Sequence, residues 1–499
     1  MSKKIMKIRF RMQLHHVLMQ SNRISFLCGL SRWYYHVGVA VFDSVIRSCV
    51  PGVVSVYVRN SFANGTWIPW VSDVDFTITL SCASSSREAA ALTRLWQLHT
   101  IFKIVFPFIQ HIAVFSREEF RYIFDSHDPS FALAMGDMRE VGGKDRMLFL
   151  REKTPSSLRI HDWVRFCEWF SRYDCSELVS FYRYERFLRK FPPLHPGSAE
   201  AGALEKLLAD PRQMNGVSSF VRSGFYYANS IVASFRDVIL PGSIQKSVFV
   251  SYAIRENIPD SILKIAEDYA ARLNVCAGAV AGIMVDSNSL CASYPRLWIF
   301  MRNGISKDLW EETVNFIWML GRKTSQATPV YIFDEYAMEV FLHTQRYWAF
   351  EYAHLMNHRR MVWGEDTIAR MRAVPDDFIR KMAFPSLLLK RAALRESIFT
   401  HSYQQLQVAA HEMFRLRVLC EYNVLVTTRQ ELARASLLLP KDDEYFLIED
   451  MMRQKDIDRK KLFEVWSVYA RSVEENCQRM LSLESSEYTG ISSISGIYA

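Results

Sequence analysis

Between Trp33 and Val58 the hydrophobic period of the chain changes, and that change restricts the fold more than any other feature. Tyr34, Val37, Val41, Val45 and Ile46 recur at helical spacing as far as Val50. Pro51-Gly52 cannot continue a helix, and Val53–Val58 is a β-branched, apolar run suited to a buried strand. After Asn60–Val71, which reads as a loop around Gly65, Val74–Leu80 alternates as a second strand. Residues 86–105 form a helical run, Ile109–Phe115 a short apolar strand, and Arg117–Phe124 an acidic, aromatic helix. The expected class is α+β: a mixed sheet with flanking helices, followed by a helical domain.

A chain of 499 residues exceeds one ordinary core, because domains usually hold roughly 100–200 residues. Beyond Pro155 the pattern turns helical through Phe191, with aromatic stripes (Trp163, Phe166, Trp169, Phe170, then Tyr182, Tyr184, Phe187) spaced as core. A Pro/Gly/Ala-rich connector, Pro192–Gly202, precedes helices over 203–238, and Pro241-Gly242 marks the boundary between halves. The second half carries an ordered echo of the first. Val330-Tyr331-Ile332-Phe333 lies over Ile112-Ala113-Val114-Phe115, Gly364-Glu365-Asp366 meets Gly143-Lys144-Asp145, and Leu437–Pro440 falls beside Leu207–Pro211. The expected organisation is a basic arm (1–27), an α/β domain (28–150), helices (151–241), a diverged α/β copy (242–370), helices (371–481) and a flexible tail (482–499), so that the pair is repeated twice.

Composition narrows the class of protein. At 49% hydrophobic and 23% charged it is globular, and no apolar run reaches the ~18 residues of a transmembrane helix. The nine cysteines are scattered, without a CxxC pair or histidines at zinc spacing, and read as reduced, mostly buried thiols of a cytoplasmic protein. The net charge of +8 is uneven, with no acid before Asp43. Lys3, Lys4, Lys7, Arg9 and Arg11 alternate with apolar residues in a leader suited to an anionic surface, nucleic acid or organelle targeting; a solvated arm is the simpler reading. Without a concentrated basic stripe in the body, nucleic acid as a partner is weakly supported.

The string Asn60-Ser61-Phe62-Ala63-Asn64-Gly65-Thr66-Trp67-Ile68-Pro69-Trp70-Val71-Ser72-Asp73-Val74-Asp75 carries the chemistry. Two carboxylates one residue apart on a strand share a face and can share a metal ion. Phosphoryl transfer through a highly charged transition state uses divalent cations held by carboxylates, and Mg2+ suits such sites. Ser61, at a strand end before a turn, offers a hydroxyl and nearby amides to phosphates. In register and setting the segment resembles the nucleotidyltransferase superfamily, in the branch of minimal, antibiotic-modifying and toxin–antitoxin enzymes. That pattern is Gly-Ser, a Gly four residues on, then Ser-Asp-x-Asp beginning eleven residues after the Ser; Ser61, Gly65, Ser72, Asp73 and Asp75 fall on it.

The resemblance implies transfer of a nucleoside monophosphate from an NTP, ATP among them, to a hydroxyl-type acceptor on a small molecule, protein or RNA. Asp73 and Asp75 would hold Mg2+ or Mn2+, with Asn60, Ser61, Gly65 and Ser72 about the nucleotide. Two departures bear on activity. Asn60 stands where the family has Gly, and the strand expected to bring a third carboxylate, Gln110–Val114, holds His111 instead, with Glu118 and Glu119 only after it. The alternative is therefore a catalytically impaired scaffold or nucleotide-binding assembly protein. In the second half, Val280–Arg302 has Asp286-Ser287-Asn288 and Arg296 but no Asp-x-Asp, as a structural platform would.

Three further features have two readings each. Trp67 and Trp70 suit stacking on a base or packing against the following helix. His358-Arg359-Arg360 reads as a solvated turn between helices rather than a phosphate contact, and Arg395 with His401 only faintly resembles a ribonuclease pair.

Overall fold

The computed structural model describes residues 24–70, 72–125, 138–142, 147–148, 185, 188–189, 197–209, 217–234, 236, 250–251, 258–276, 278–287, 295–324, 330–344, 346–372, 383–400, 403–454 and 458–487. The basic leader, the aromatic residues between 163 and 187, Gly143–Asp145, Pro241-Gly242, His401 and residues 488–499 lie outside these residues, whereas 482–487, expected as the start of a flexible tail, are helical. The contacts of the chain form two compact units. One comprises Met1–Thr154, Leu387–Met413 and Pro440–Glu475; the other comprises Pro155–Ser386, Phe414–Leu439 and Asn476–Ala499. The class is α+β, and no helix among the described residues is long and apolar enough to cross a membrane.

In the first unit α1 (Ser25–Cys49) buries Tyr35, Val39, Phe42 and Ile46, one stripe at helical spacing. It ends before Pro51, and β1 (Val53–Arg59) follows. A short helical turn, Asn60–Ala63, and a loop lead to β2 (Val74–Leu80), then α2 (Ser85–Val105), β3 (Ile109–Ser116) and α3 (Arg117–Asp125). Ser84 caps α2 by accepting from the Arg87 amide at 3.3 Å. With β4 (Met138–Glu140) and β5 (Met147–Leu148) the sheet order is β3-β2-β1-β4-β5. β2 is antiparallel to β1 and parallel to β3, and β4 is antiparallel to β1. Phe42 of α1 meets Phe76 of β2 at 4.5 Å between ring centroids. Gly38 allows close approach here, since a Cβ there would stand 2.5 Å from Phe108 and 2.7 Å from Phe106.

In the second unit, α4 (Val217–Ala233) and α5 (Asp260–Leu273) precede β6 (Val280–Asp286) and β7 (Leu297–Met301), two strands buried along their whole length. Then come α6 (Lys307–Thr324), β8 (Val330–Asp334), α7 (Glu335–Thr344), α8 (Arg346–His358) and β9 (Arg359–Gly364). The sheet order is β9-β6-β7-β8. β7 is antiparallel to β6 and parallel to β8, and β9 is antiparallel to β6. Read from the outer parallel strand, both sheets run third, second, first, fourth in chain order, with the same directions. Val330–Phe333 and Ile112–Phe115 thus both sit on the third strand of their sheet. His358 ends α8, and Arg359 and Arg360 open the edge strand β9 rather than a solvated turn.

The C-terminal helices are shared between the units: α9 (Ala383–Thr400), α10 (Tyr403–Tyr422), α11 (Arg429–Ala435), α12 (Glu444–Arg453) and α13 (Arg459–Glu487). Within the first unit α9 is tied to the sheet by charge. Arg395, buried, donates to Glu88 at 2.6 Å, to Glu119 at 2.8 and 3.2 Å, and to the Val114 carbonyl at 3.3 Å. Trp96 Nε1 donates to the Arg395 carbonyl at 2.8 Å, and Arg391 bonds both Glu119 at 2.9 Å and Glu474 at 2.5 Å. Burial alone would raise the Glu119 carboxyl, but the Arg395 and Arg391 guanidiniums outweigh it and hold it below the usual carboxylate range. Among the cysteines whose burial is described, Cys276 is buried, Cys28, Cys82 and Cys420 are half-buried and Cys49 is exposed, so these five are not the mostly buried thiols expected.

Two predictions follow from these buried charges. Arg395→Met leaves Glu119 and Glu88 without their main cation, and is expected to destabilise the first unit by about 3–5 kcal/mol in denaturant unfolding. In the second unit Asp334 is fully buried and accepts from the Tyr336 and Ala337 amides at 2.9 and 3.0 Å. Burial pushes its carboxyl up to about 7, against the partial opposition of those amides. An acid with a raised folded-state pKa loses stability as pH climbs from its unfolded value, 3.8, to the folded one. Asp334→Asn, which keeps an acceptor for the amides, is expected to raise the melting temperature at pH 8 and to lose that advantage by about pH 4; a gain independent of pH would refute the assignment.

Candidate functional site

The site grows from the ends of β1 and β2 and from the start of β3. Asp75 is the second residue of β2 and Asp73 the residue immediately before the strand, with Val74 buried between them. Both carboxylates therefore leave the same side, as the period of two requires. β2 and β3 pair in parallel with an irregularity at this point: Val74 pairs with Ile109, but Asp75 pairs with His111, so Gln110 is bulged out. Ligand atoms of Asp73, Asp75 and His111 all lie within 4.8 Å of one another. His111 is exposed and makes no hydrogen bond or ion pair among the described residues.

Asn60 supplies the link between the turn and the carboxylates. Its Nδ2 donates to Asp75 Oδ2 at 2.8 Å. Its φ of 56° lies in the left-handed region, which Asn enters more readily than any other residue type bearing a Cβ save Asp. Asn60 thus takes up a conformation otherwise favoured by Gly. Asp75 Oδ1 is buried with no hydrogen-bond partner. Ser61 is buried within the short helical turn, whereas Gly65 has φ 77° and open space beyond its Cα.

The rest of the loop is held by α1. Tyr35 Oη accepts from the Trp70 amide at 2.8 Å and donates to the Ser72 carbonyl at 3.3 Å. Burial raises the Tyr35 hydroxyl, the Trp70 amide lowers it in part, and the Asp73 carboxylate raises it further. Ser72 Oγ accepts from the Ile68 amide at 3.0 Å, which makes Ser72 a brace of the loop. Trp67 stacks on Tyr35 at 5.0 Å, Tyr35 stacks on Phe108 at 3.8 Å, and Trp70 Nε1 donates to Ser31 at 2.8 Å. Both tryptophans therefore pack on the preceding helix, not the following one.

Two groups beside the site lie outside the motif. His99, buried on α2, is pushed down to about 4, first by burial, then by Lys103, with His111 adding to it, so the ring is neutral. Glu396 of α9, half-buried next to Arg395, lies in the field of His111, Lys103 and Arg59; burial raises its carboxyl and these three lower it in part. Sequence reading noted Glu396 only beside the Arg395 and His401 pair and did not connect it with this site, because it stands 285 residues beyond His111. Glu119, one of the acids considered for the third position, is committed to Arg395 and Arg391, while Glu118 is exposed on α3.

The corresponding strand ends of the second unit are closed. Asp286, at the end of β6, accepts from the Arg296 amide and Nε, both at 2.8 Å, and its second oxygen also pairs with the Arg296 guanidinium. His354 Nε2 lies 3.7 Å from Asp286 and 3.1 Å from the Ser287 carbonyl. His354 stacks on His358, which meets Glu431 at 2.9 Å, the acid of the α11 capping box. Arg359 is bound to Asp366 at 2.7 Å. No protein-family model, curated protein or solved structure matches this chain.

The donor set at Asp73, Asp75 and His111 fits a divalent cation, because two carboxylates and an imidazole converge beside a buried carboxylate oxygen that lacks a partner. Asn60→Ala is expected to destabilise the first unit by about 1–2 kcal/mol, from the left-handed φ and the lost Asp75 contact, and Asn60→Gly by less. Equal losses in denaturant unfolding would refute the strain.

Proposed function

We propose that the first unit transfers a nucleoside monophosphate from a nucleoside triphosphate to a hydroxyl-bearing acceptor. The observation that carries this reading is the convergence of Asp73, Asp75 and His111 at the strand ends, in the register that resembles the nucleotidyltransferases. Those three residues would hold a divalent cation, Mg2+ or Mn2+, which when bound would neutralise charge on the triphosphate and orient it. Asn60 aligns the Asp75 carboxylate through its 2.8 Å hydrogen bond, and Ser72 and Tyr35 keep the loop in place. The open backbone about Gly65, with Ser61 behind it, is the place for the phosphates.

The acceptor oxygen forms its bond to the α-phosphorus as the bond to the β-phosphate oxygen breaks, and pyrophosphate leaves with that electron pair. The acceptor's proton passes to the Glu396 carboxylate, the acid in the field of His111. Burial keeps that carboxyl above its ordinary range, a property suited to a proton acceptor.

The second unit we read as a diverged copy that serves as a scaffold. The support is the shared strand order and directions, together with the Asp286–Arg296 pair where the first unit has its carboxylates. The acceptor is of hydroxyl type, on a small molecule, a protein or RNA.

Incubation with each labelled NTP and Mg2+ or Mn2+ tests the reading. Transfer is expected from the wild type and not from Asp73→Ala/Asp75→Ala, while Glu396→Gln lowers kcat by about 10²- to 10⁴-fold with nucleotide binding retained. Identical transfer and identical nucleotide binding in wild type and the double variant would remove Asp73 and Asp75 from the site.

A further inference from the structure

We infer that His111 makes the cation site of the first unit selective for Mn2+ over Mg2+; the inference rests on the metal-binding part of the function proposed above. The bulge at Gln110 carries His111, not an acid, to the place opposite Asp75, within 4.8 Å of the ligand atoms of both aspartates. Asp75 Oδ2 is engaged by the Asn60 amide, so its remaining free oxygen is Oδ1, buried and without a partner. The donors are therefore one oxygen of Asp75, the carboxylate of Asp73, which is exposed, and one imidazole nitrogen. The set carries two negative charges where three carboxylates would carry three.

Mg2+ is small and hard, surrenders water reluctantly and depends on charged oxygen ligands. Exchanging a carboxylate for a neutral imidazole weakens it most. Mn2+ accepts carboxylate oxygens, lies beyond Mg2+ in its tolerance for nitrogen, and loses less by the exchange.

The test uses the full chain with metal ions alone. Bound and free Mn2+ are separated by their electron paramagnetic resonance signal, and Mg2+ is then added until half of the bound Mn2+ is displaced. Wild type is expected to bind Mn2+ and to resist Mg2+. In His111→Asp the Mg2+ needed for half displacement should fall at least tenfold, and His111→Ala should bind Mn2+ at least tenfold more weakly than wild type. His111 is exposed, so neither change disturbs the core, and thermal melting of each variant checks this. Equal Mg2+ displacement in wild type and His111→Asp would overturn the selectivity while leaving a site at Asp73 and Asp75. Mn2+ binding unchanged in Asp73→Ala/Asp75→Ala would overturn the site itself, and with it the proposed function.

Discussion

The parallel pairing of β2 with β3 is the constraint on which the first unit depends. From Asp75 onward the register sets Phe76 against Ile112 and Ile78 against Val114, all of them buried. Sliding β3 by one residue would turn Ile112 and Val114 outward, because strand side chains alternate. The apolar core thus fixes the register, and the bulge at Gln110 takes up the residue left over between that register and the Val74–Ile109 pair. His111 faces Asp75 as a by-product of core packing. The geometry of the carboxylate pair and the burial of the sheet are in this sense one fact.

A second long-range tie completes the unit. Arg395 lies 276 residues beyond Glu119, and it bonds that buried acid, Glu88 and a β3 carbonyl. Buried ion pairs contribute little net stability over an apolar packing of the same shape, because desolvation offsets most of the attraction. Their geometric effect is larger. A guanidinium that must meet two carboxylates and a carbonyl has one position along its helix, and the Trp96 bond to the Arg395 carbonyl holds the backbone at the same point. The next residue, Glu396, is then delivered to the field of His111 and Lys103.

How much of this could be read from the sequence follows from the range of each interaction. The period change at Pro51-Gly52 and the alternation over Val74–Leu80 are local, and β1, β2, β3, α2 and α3 stand within a residue or two of expectation; α1 starts earlier, at Ser25, and the short strands β4 and β5 and the helical turn Asn60–Ala63 were not foreseen. Asp73 and Asp75 were legible because their spacing alone sets their common face. Three things were not local. The bulge depends on packing between strands, so His111 looked like a departure and not a partner. Arg395 and Glu396 reach the unit from a distant helix. The tryptophans follow α1 because Tyr35 offers both a ring and a hydroxyl, a combination that hydrophobic pattern does not distinguish. The left-handed conformation of Asn60 was not foreseen, although Asn is one of the few residues besides Gly that adopts it.

The two units answer the same electrostatic problem in different ways. At the ends of β6 and β7, Asp286 is wholly buried; the Arg296 backbone amide satisfies its Oδ1 and the Arg296 guanidinium, a permanent internal cation, its Oδ2. At the ends of β1 and β2, Asn60 satisfies one oxygen of Asp75 and leaves the other buried and unpaired, a condition that costs about 1–3 kcal/mol in a folded protein. A chain selected for stability alone would be expected to close the first arrangement as it closed the second. Its persistence beside an exposed Asp73 and an exposed, unbonded His111 is most simply explained by a cation from solution that relieves the charge. On that argument the two sheets share their strand order and differ in whether the positive charge at the strand ends is built into the chain or admitted from outside.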